Sequence, residues 1–202
     1  MGGGERPSLG AGAFDVIVVA ASAGGLSALS EALSSLPTGF PAAVLVVQHL
    51  DPRHRSLMAD ILDRRTAMQV RQAADGDKLE AGTVYVAPPD RHLLLNPDST
   101  VSLSQSELVH FVRPSADLLF ESAAASFRER AIAVVLTGTG IDGAMGVRAI
   151  KKMGGTVIAQ DAQSSEYFGM PSAAIDTGDV DFVLSLREIS SALVSLVTGN
   201  EL

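Results

Sequence analysis

The chain has 202 residues, with 15 Lys and Arg against 23 Asp and Glu, a formal charge of −8, and 47% hydrophobic against 19% charged residues. That balance belongs to a globular protein and excludes a disordered one, and a chain this long buries roughly 70% of its unfolded surface without staples. The absence of cysteine excludes disulfides, zinc thiolates, iron–sulfur clusters and a thiol nucleophile, the net negative charge argues against nucleic-acid binding, and no apolar run reaches the ~20 residues that span a bilayer. A cytoplasmic location is expected.

In chain order, residues 1–13 are rich in Gly and contain Pro7, the composition of a disordered tail. One domain is expected over 14–202. Val16-Ile17-Val18-Val19-Ala20-Ala21 is a short β-branched run closed by Gly24-Gly25, which predicts a buried strand. Leu26, Leu29, Leu33 and Leu36 mark one face of a helix that Pro37 and Gly39 stop. Residues 43–47 repeat the buried-strand pattern, and a helix follows over 56–65. From Met68 to Leu103 the pattern changes to short apolar runs at 84–86, 92–95 and 101–103, broken by Pro88-Pro89 and Asn96-Pro97. This predicts an antiparallel excursion with hairpins. Ser115 is placed to cap a helix with Leu119, Ala123 and Phe127 on one face. A strand over 132–136, a helix over 142–153, strands over 156–159 and 180–184, and a Ser185/Glu188 capping box before the last helix complete the reading. Apolar strands alternating with helices predict an α/β, doubly wound, mainly parallel sheet of Rossmann-like type with a small antiparallel hairpin excursion.

In such a sheet ligands bind at the carboxyl ends of the strands. Ser22 follows the first predicted strand, His49 the second, and Asp142 the strand at 132–136. Each has a plain structural reading: a helix N-cap for Ser22, a polar strand end for His49, and a carboxylate at a helix N-terminus for Asp142. Three unrelated caps would not be expected to supply one complete acyl-transfer set, with partners distant in sequence and adjacent in space. The turn at Ser22 partly matches the G-x-S-x-G elbow, with Ala20 at the first Gly position. A rival reading lies in Gly138-Thr139-Gly140-Ile141-Asp142-Gly143, which fits G-x-G-x-x-G and is followed by an acidic residue, Asp161. Against a dinucleotide there, Asp142 would place a carboxylate where a pyrophosphate must sit, a repulsion of roughly 1 kcal/mol at about 4 Å in water and several-fold more in a dry site. No cofactor is expected.

The ordered set Ala21-Ser22-Ala23-Gly24-Gly25, Val47-Gln48-His49, Asp90-Arg91-His92, Arg113-Pro114-Ser115, Leu136-Thr137-Gly138-Thr139-Gly140-Ile141-Asp142-Gly143 and Phe168-Gly169-Met170-Pro171 resembles the catalytic domain of CheB-type chemotaxis protein-glutamate methylesterases. The resemblance implies Ser22 as nucleophile, His49 as general base, Asp142 as the orienting acid, and the backbone N–H groups of His49 and Thr139 as oxyanion donors. It implies demethylation of glutamate γ-methyl esters on the cytoplasmic helices of methyl-accepting chemoreceptors, with release of methanol, and deamidation of receptor glutamines. The chain departs from the pattern at Ala20, at Ala23 where Thr is frequent, and at Thr139 where Met is common. Ala23 and the 48–54 run are similar to esterase modules fused to chemotaxis-type methyltransferases. The thirteen residues before Phe14 are too few for the receiver domain that typical members carry, so regulation in cis is not expected within this chain, whether it is a stand-alone enzyme or an excised fragment, and a receiver protein in trans is a candidate partner.

Other residues have weaker readings. His49 and His54 lack the spacing and the Glu of a zinc helix, so no metal is expected. His92 competes with His49 for the role of base. Arg53 and Arg55 are substrate-contact candidates that would attract an acidic partner, or form a solvated face. Met170 either lines the ester pocket or packs in the core. The alternative function is a non-catalytic receptor- or nucleotide-binding module of the same fold.

Overall fold

A computed structural model describes residues 14–49 and 56–199. The elements run β1 (Val16–Ala21), α1 (Gly25–Ser34), β2 (Ala43–Gln48), α2 (Met58–Asp63), β3 (Gln69–Gln72), β4 (Thr83–Val86), β5 (His92–Leu95), β6 (Val101–Ser104), α3 (Ala116–Phe127), β7 (Ala131–Val135), α4 (Ala144–Lys152), β8 (Thr156–Gln160), α5 (Gly169–Ile175), β9 (Phe182–Leu184) and α6 (Leu186–Thr198). The expected tail at 1–13 lies outside the described residues, as do Arg53, His54 and Arg55.

Seven strands form one sheet in the order β3-β4-β2-β1-β7-β8-β9, and every pairing is parallel. The sequence of β1 explains its central place. All six of its residues are buried, so both faces of the strand must be covered, as in a parallel sheet with helices on either side. The period of two divides them cleanly: Val16, Val18 and Ala20 belong to the core beneath α3 and α4, whereas Ile17, Val19 and Ala21 belong to the core beneath α1 and α6.

The stretch from Met68 to Leu103 departs from the hairpins that its sequence predicts. Only β5 and β6 form an antiparallel pair, from His92 opposite Ser104 to Leu95 opposite Val101. The strand at 84–86 is instead part of β4, which extends the parallel sheet beside β2 and pairs with β3 on its other side. Val84, Tyr85 and Val86 are all almost fully buried, and a strand covered on both faces gains more inside the main sheet than in an open hairpin.

The order of strands reverses between β1 and β7, so the loops that follow them diverge to opposite faces and leave a crevice between. Helices α3 and α4 flank one side of it and hold each other by their ends. The Asp142 carboxylate, in the loop before α4, accepts N–H groups at the start of α3, from Ala116 (2.6 Å) and Asp117 (3.2 Å). Asp117, in the first turn of α3, accepts the Gly143 (3.0 Å) and Gly146 (2.7 Å) N–H groups at the start of α4. Each helix thus satisfies its orphan amides with the other's carboxylate. Ser115 is the N-cap residue of α3, but its side chain makes no capping hydrogen bond to that helix, because Asp142 has taken the amides.

Two outcomes are expected. A methyl at Gly146 would stand 2.4 Å from the Phe120 Cβ, and Phe120 is fully buried, so Gly146→Ala should lower unfolding stability in urea by about 1–3 kcal/mol. Burial pushes the Asp142 carboxyl up, but hydrogen bonds from His49, the Ala116 amide and Ser115 outweigh it and hold the group below the ordinary carboxylate range. A depressed carboxyl stabilises the fold above its unfolded pKa and loses that contribution as pH falls through the folded value. The stability gap between the protein and Asp142→Asn should therefore narrow as pH falls below about 4, measured by denaturation across pH.

Candidate active site

The register of β1 with β2 sets Ala21 beside Gln48, so the next residues, Ser22 and His49, leave the sheet side by side. The His49 N–H donates to Ala21 O at 3.1 Å and the Ser22 N–H to Thr137 O at 3.0 Å, tying together the ends of β2, β1 and β7. Gln48 Nε2 donates to the carbonyls of Ser22 (2.7 Å) and His49 (3.1 Å). The Ser22 turn is thereby fixed from both sides. Gly138 sits against it so closely that a Cβ there would lie 2.8 Å from Ser22 Cβ and 2.4 Å from the Met170 sulfur; only glycine fits.

His49 and Asp142 meet across 93 positions of sequence, Nε2 to Oδ2 at 2.8 Å, with side-chain exposures of 13% and 4%. An ionised carboxylate at this depth is costly unless its lone pairs are filled. Besides the imidazole and the two α3 amides, Asp142 receives the Ser115 hydroxyl on Oδ1 at 2.8 Å. A carboxylate on Nε2 favours the tautomer with its proton there and leaves the Nδ1 lone pair for another donor. Nδ1 makes no hydrogen bond to a described residue, nor does the hydroxyl of half-buried Ser22. The structure thus joins His49 to Asp142 and sets Ser22 next to His49 on the neighbouring strand end. The Ser22–His49 hydrogen bond itself is absent, a link that free enzymes often make only with substrate bound.

Two expectations change and one is left outside the described residues. The His49 amide donates into the sheet, so it is not the free oxyanion donor that the resemblance implies. The amides of Thr139 and of Ala23, the residue after Ser22, make no hydrogen bond to a described residue. Met170 is 1% exposed and packs under Gly138, which makes it a prop for the loop at 137–140 and removes it from substrate contact. Arg53 and Arg55 lie outside the described residues.

His92 is fully buried with both ring nitrogens occupied: Nδ1 accepts the Ser115 N–H at 3.1 Å, leaving Nε2 to donate to Glu107 O at 3.0 Å. A histidine so spent is not a base. Asp90, two positions before it, pairs with Arg113 (Nη2 to Oδ1 2.6 Å), whose Nη1 donates to Ser106 O. The two motifs 90–92 and 113–115 therefore face one another, and their product is a fixed Ser115. Asp161, the acidic residue of the dinucleotide pattern, caps its own turn by accepting the Ser164 N–H and hydroxyl.

Several supports escape a reading of the sequence. Thr137 Oγ1 donates to Ala23 O (3.0 Å) and accepts the Tyr167 N–H (2.9 Å), and the Gly138 N–H donates to Tyr167 O. Asp117 is another: burial pushes its carboxyl up, the nearby charge of Asp142 adds to that rise, and the amides of α4 and the facing His110, 3.1 Å away, oppose it. A cleft of about 440 Å³ opens beside Ser22, with Leu26, Gln48, Met58 and Arg65 in its walls. Among the described residues no group of three or more His, Asp or Glu side chains is placed to hold a metal, and no helix is long and apolar enough to cross a membrane.

Comparison with known proteins bears on this arrangement. A profile described as CheB methylesterase matches residues 17–193. The putative protein-glutamate methylesterase/protein-glutamine glutaminase of Leptospira interrogans (serovar copenhageni) is 39% identical over 187 residues, covering 93% of this chain and 97% of that protein. The corresponding enzyme of Moorella thermoacetica is 40% identical over 200 residues, which cover 97% of this chain and 46% of the relative. The crystal structure of the Thermotoga maritima CheB methylesterase catalytic domain superposes with a TM-score of 0.88 at 38% identity, over 91% of this chain and 99% of that one. With a family profile and long-range identity running through β1 to α6, the chain belongs to the CheB methylesterase family.

Proposed function

We propose that the protein is a serine esterase that hydrolyses γ-methyl esters of glutamate on the cytoplasmic helices of chemoreceptors, with residues 14–202 acting as one catalytic domain in the cytoplasm. The observation that carries this reading is the buried Asp142–His49 hydrogen bond on the strand end adjacent to Ser22, in a chain of this family.

The steps follow from the groups. His49 Nδ1 takes the Ser22 proton as Oγ attacks the ester carbonyl. The charge that develops on the imidazole is offset by Asp142 on Nε2, with the two ring nitrogens in swapped roles relative to the serine-protease template. The oxyanion is met by the amides of Thr139 and Ala23, the latter in the position that a nucleophile elbow uses; each such donor contributes about 10²–10³ in rate. His49 returns the proton to methanol as the C–O bond breaks. Water then attacks the acyl-enzyme by the same route, releasing glutamate and restoring Ser22. A glutamine side chain enters the same cycle with ammonia as the leaving group.

A fluorophosphonate probe should label Ser22, with labelling abolished in Ser22→Ala and slowed at least ~10³-fold in His49→Ala. Methanol release from methylated receptor should fall by a similar or larger factor in each single variant, and the double variant should be no worse than Ser22→Ala. A folded protein in which Ser22 stays unlabelled would overturn the assignment.

A further inference from the structure

Among the described residues, the walls of the cleft beside Ser22 hold one charged side chain, Arg65. Its surroundings set it apart from an ordinary surface cation. The guanidinium donates from Nη1 to the Ser30 hydroxyl of α1 at 3.2 Å, and the Arg65 N–H donates to Leu62 O at the end of α2. The side chain is thus tethered across the gap between α1 and α2, on the flank of the cleft. No carboxylate of a described residue pairs with it, although the chain carries 23 acidic residues against 15 basic ones. The nearby Asp63 carboxylate is turned away, accepting the Val70 N–H. One nitrogen is held in place, and the remaining donors of the fork stay available for a planar oxygen pair. The apolar neighbours Leu26 and Met58 in the same walls lower the local dielectric and strengthen any charge that enters.

We propose that Arg65 is a specificity-determining residue that binds a carboxylate of the substrate protein next to the esterified glutamate, so that the enzyme selects methyl esters flanked by acidic side chains. This rests on the esterase reading above and adds the chemistry of the segment that lies in the cleft. A methyl ester is neutral and small, and the groups around Ser22 give it little to distinguish it from any other ester. A tethered cation in the wall of the same cleft supplies the missing discrimination, because a bidentate guanidinium–carboxylate pair is directional. Such a contact is made in the ground state and the transition state alike, so it acts on KM and leaves kcat largely alone.

The test uses the full chain, a methylated chemoreceptor cytoplasmic fragment and, as a second substrate, p-nitrophenyl acetate, which has no carboxylate. Arg65→Ala should raise KM for the receptor about tenfold with a much smaller change in kcat, and lower the receptor-to-small-ester ratio of kcat/KM by the same factor. Arg65→Lys should recover part of the loss, and Arg64→Ala, on the neighbouring exposed residue, should leave both substrates unaffected. Replacing the acidic residues that flank the methylation site by Gln or Asn should weaken the parent enzyme and remove the difference between it and Arg65→Ala. Equal losses on both substrates would overturn the proposal by assigning Arg65 a structural role, and an unchanged receptor KM would overturn it directly. A parent enzyme that turns over the small ester but releases no methanol from the receptor sinks the assignment of the receptor as substrate, and this inference with it.

Discussion

The structure depends on one buried carboxylate and the donors gathered on it. Removing an ionised Asp from water is tolerable only when hydrogen bonds replace the lost hydration, and Asp142 meets that condition with the His49 ring, the Ala116 and Asp117 amides and the Ser115 hydroxyl. The same four bonds do two jobs. They close the N-terminus of α3, and they fix the plane and tautomer of the imidazole that we assign as general base. His92 holds Ser115, Asp90 holds Arg113 two residues away, and Asp117 returns the favour at α4. Motifs that look like separate catalytic candidates in the sequence are in large part the scaffold of a single acceptor.

The sheet supplies the other constraint. With β1 at the centre and the reversal of order between β1 and β7, three loops must come together at one edge. They are then stitched to one another: Ser22 to Thr137 through the backbone, Thr137 to Ala23 and Tyr167 through a hydroxyl, and Gly138 to Met170 through its carbonyl. Positioning of this kind is what lets a weak nucleophile such as a serine hydroxyl act, because a misplacement of about 1 Å can cost ~10²-fold in rate.

The central strands were legible because burial on both faces leaves an unbroken apolar run, as at 16–21, 43–47 and 132–136, and the Ser185/Glu188 capping box is present as its spacing predicts. The region 68–103 was not. Its strands are four residues each, and a parallel partner is set by a register with distant β2 that no local pattern encodes. Ser115 stands where a cap belongs, yet which of two acceptors wins the amides of α3 is decided by a residue 27 positions on. Ser22, His49 and Asp142 could be nominated because each ends a strand. Whether the His49 amide was free depended on whether β2 continues to hydrogen-bond past Gln48, and it does. Arg65 gave no signal, since an exposed arginine at a helix end acquires meaning only when the cleft beside it is known.

Ser22 and Asp142 differ sharply in what they hold up. The serine hydroxyl supports nothing else in the described structure, whereas the aspartate is the keystone between two helices. Erasing turnover at position 22 is therefore nearly silent for folding, and erasing it at position 142 damages the architecture. Descendants of this domain that have given up chemistry to become scaffolds should accordingly be recognised by a missing serine alongside an intact aspartate, so that the retained carboxylate is no proof of a working enzyme.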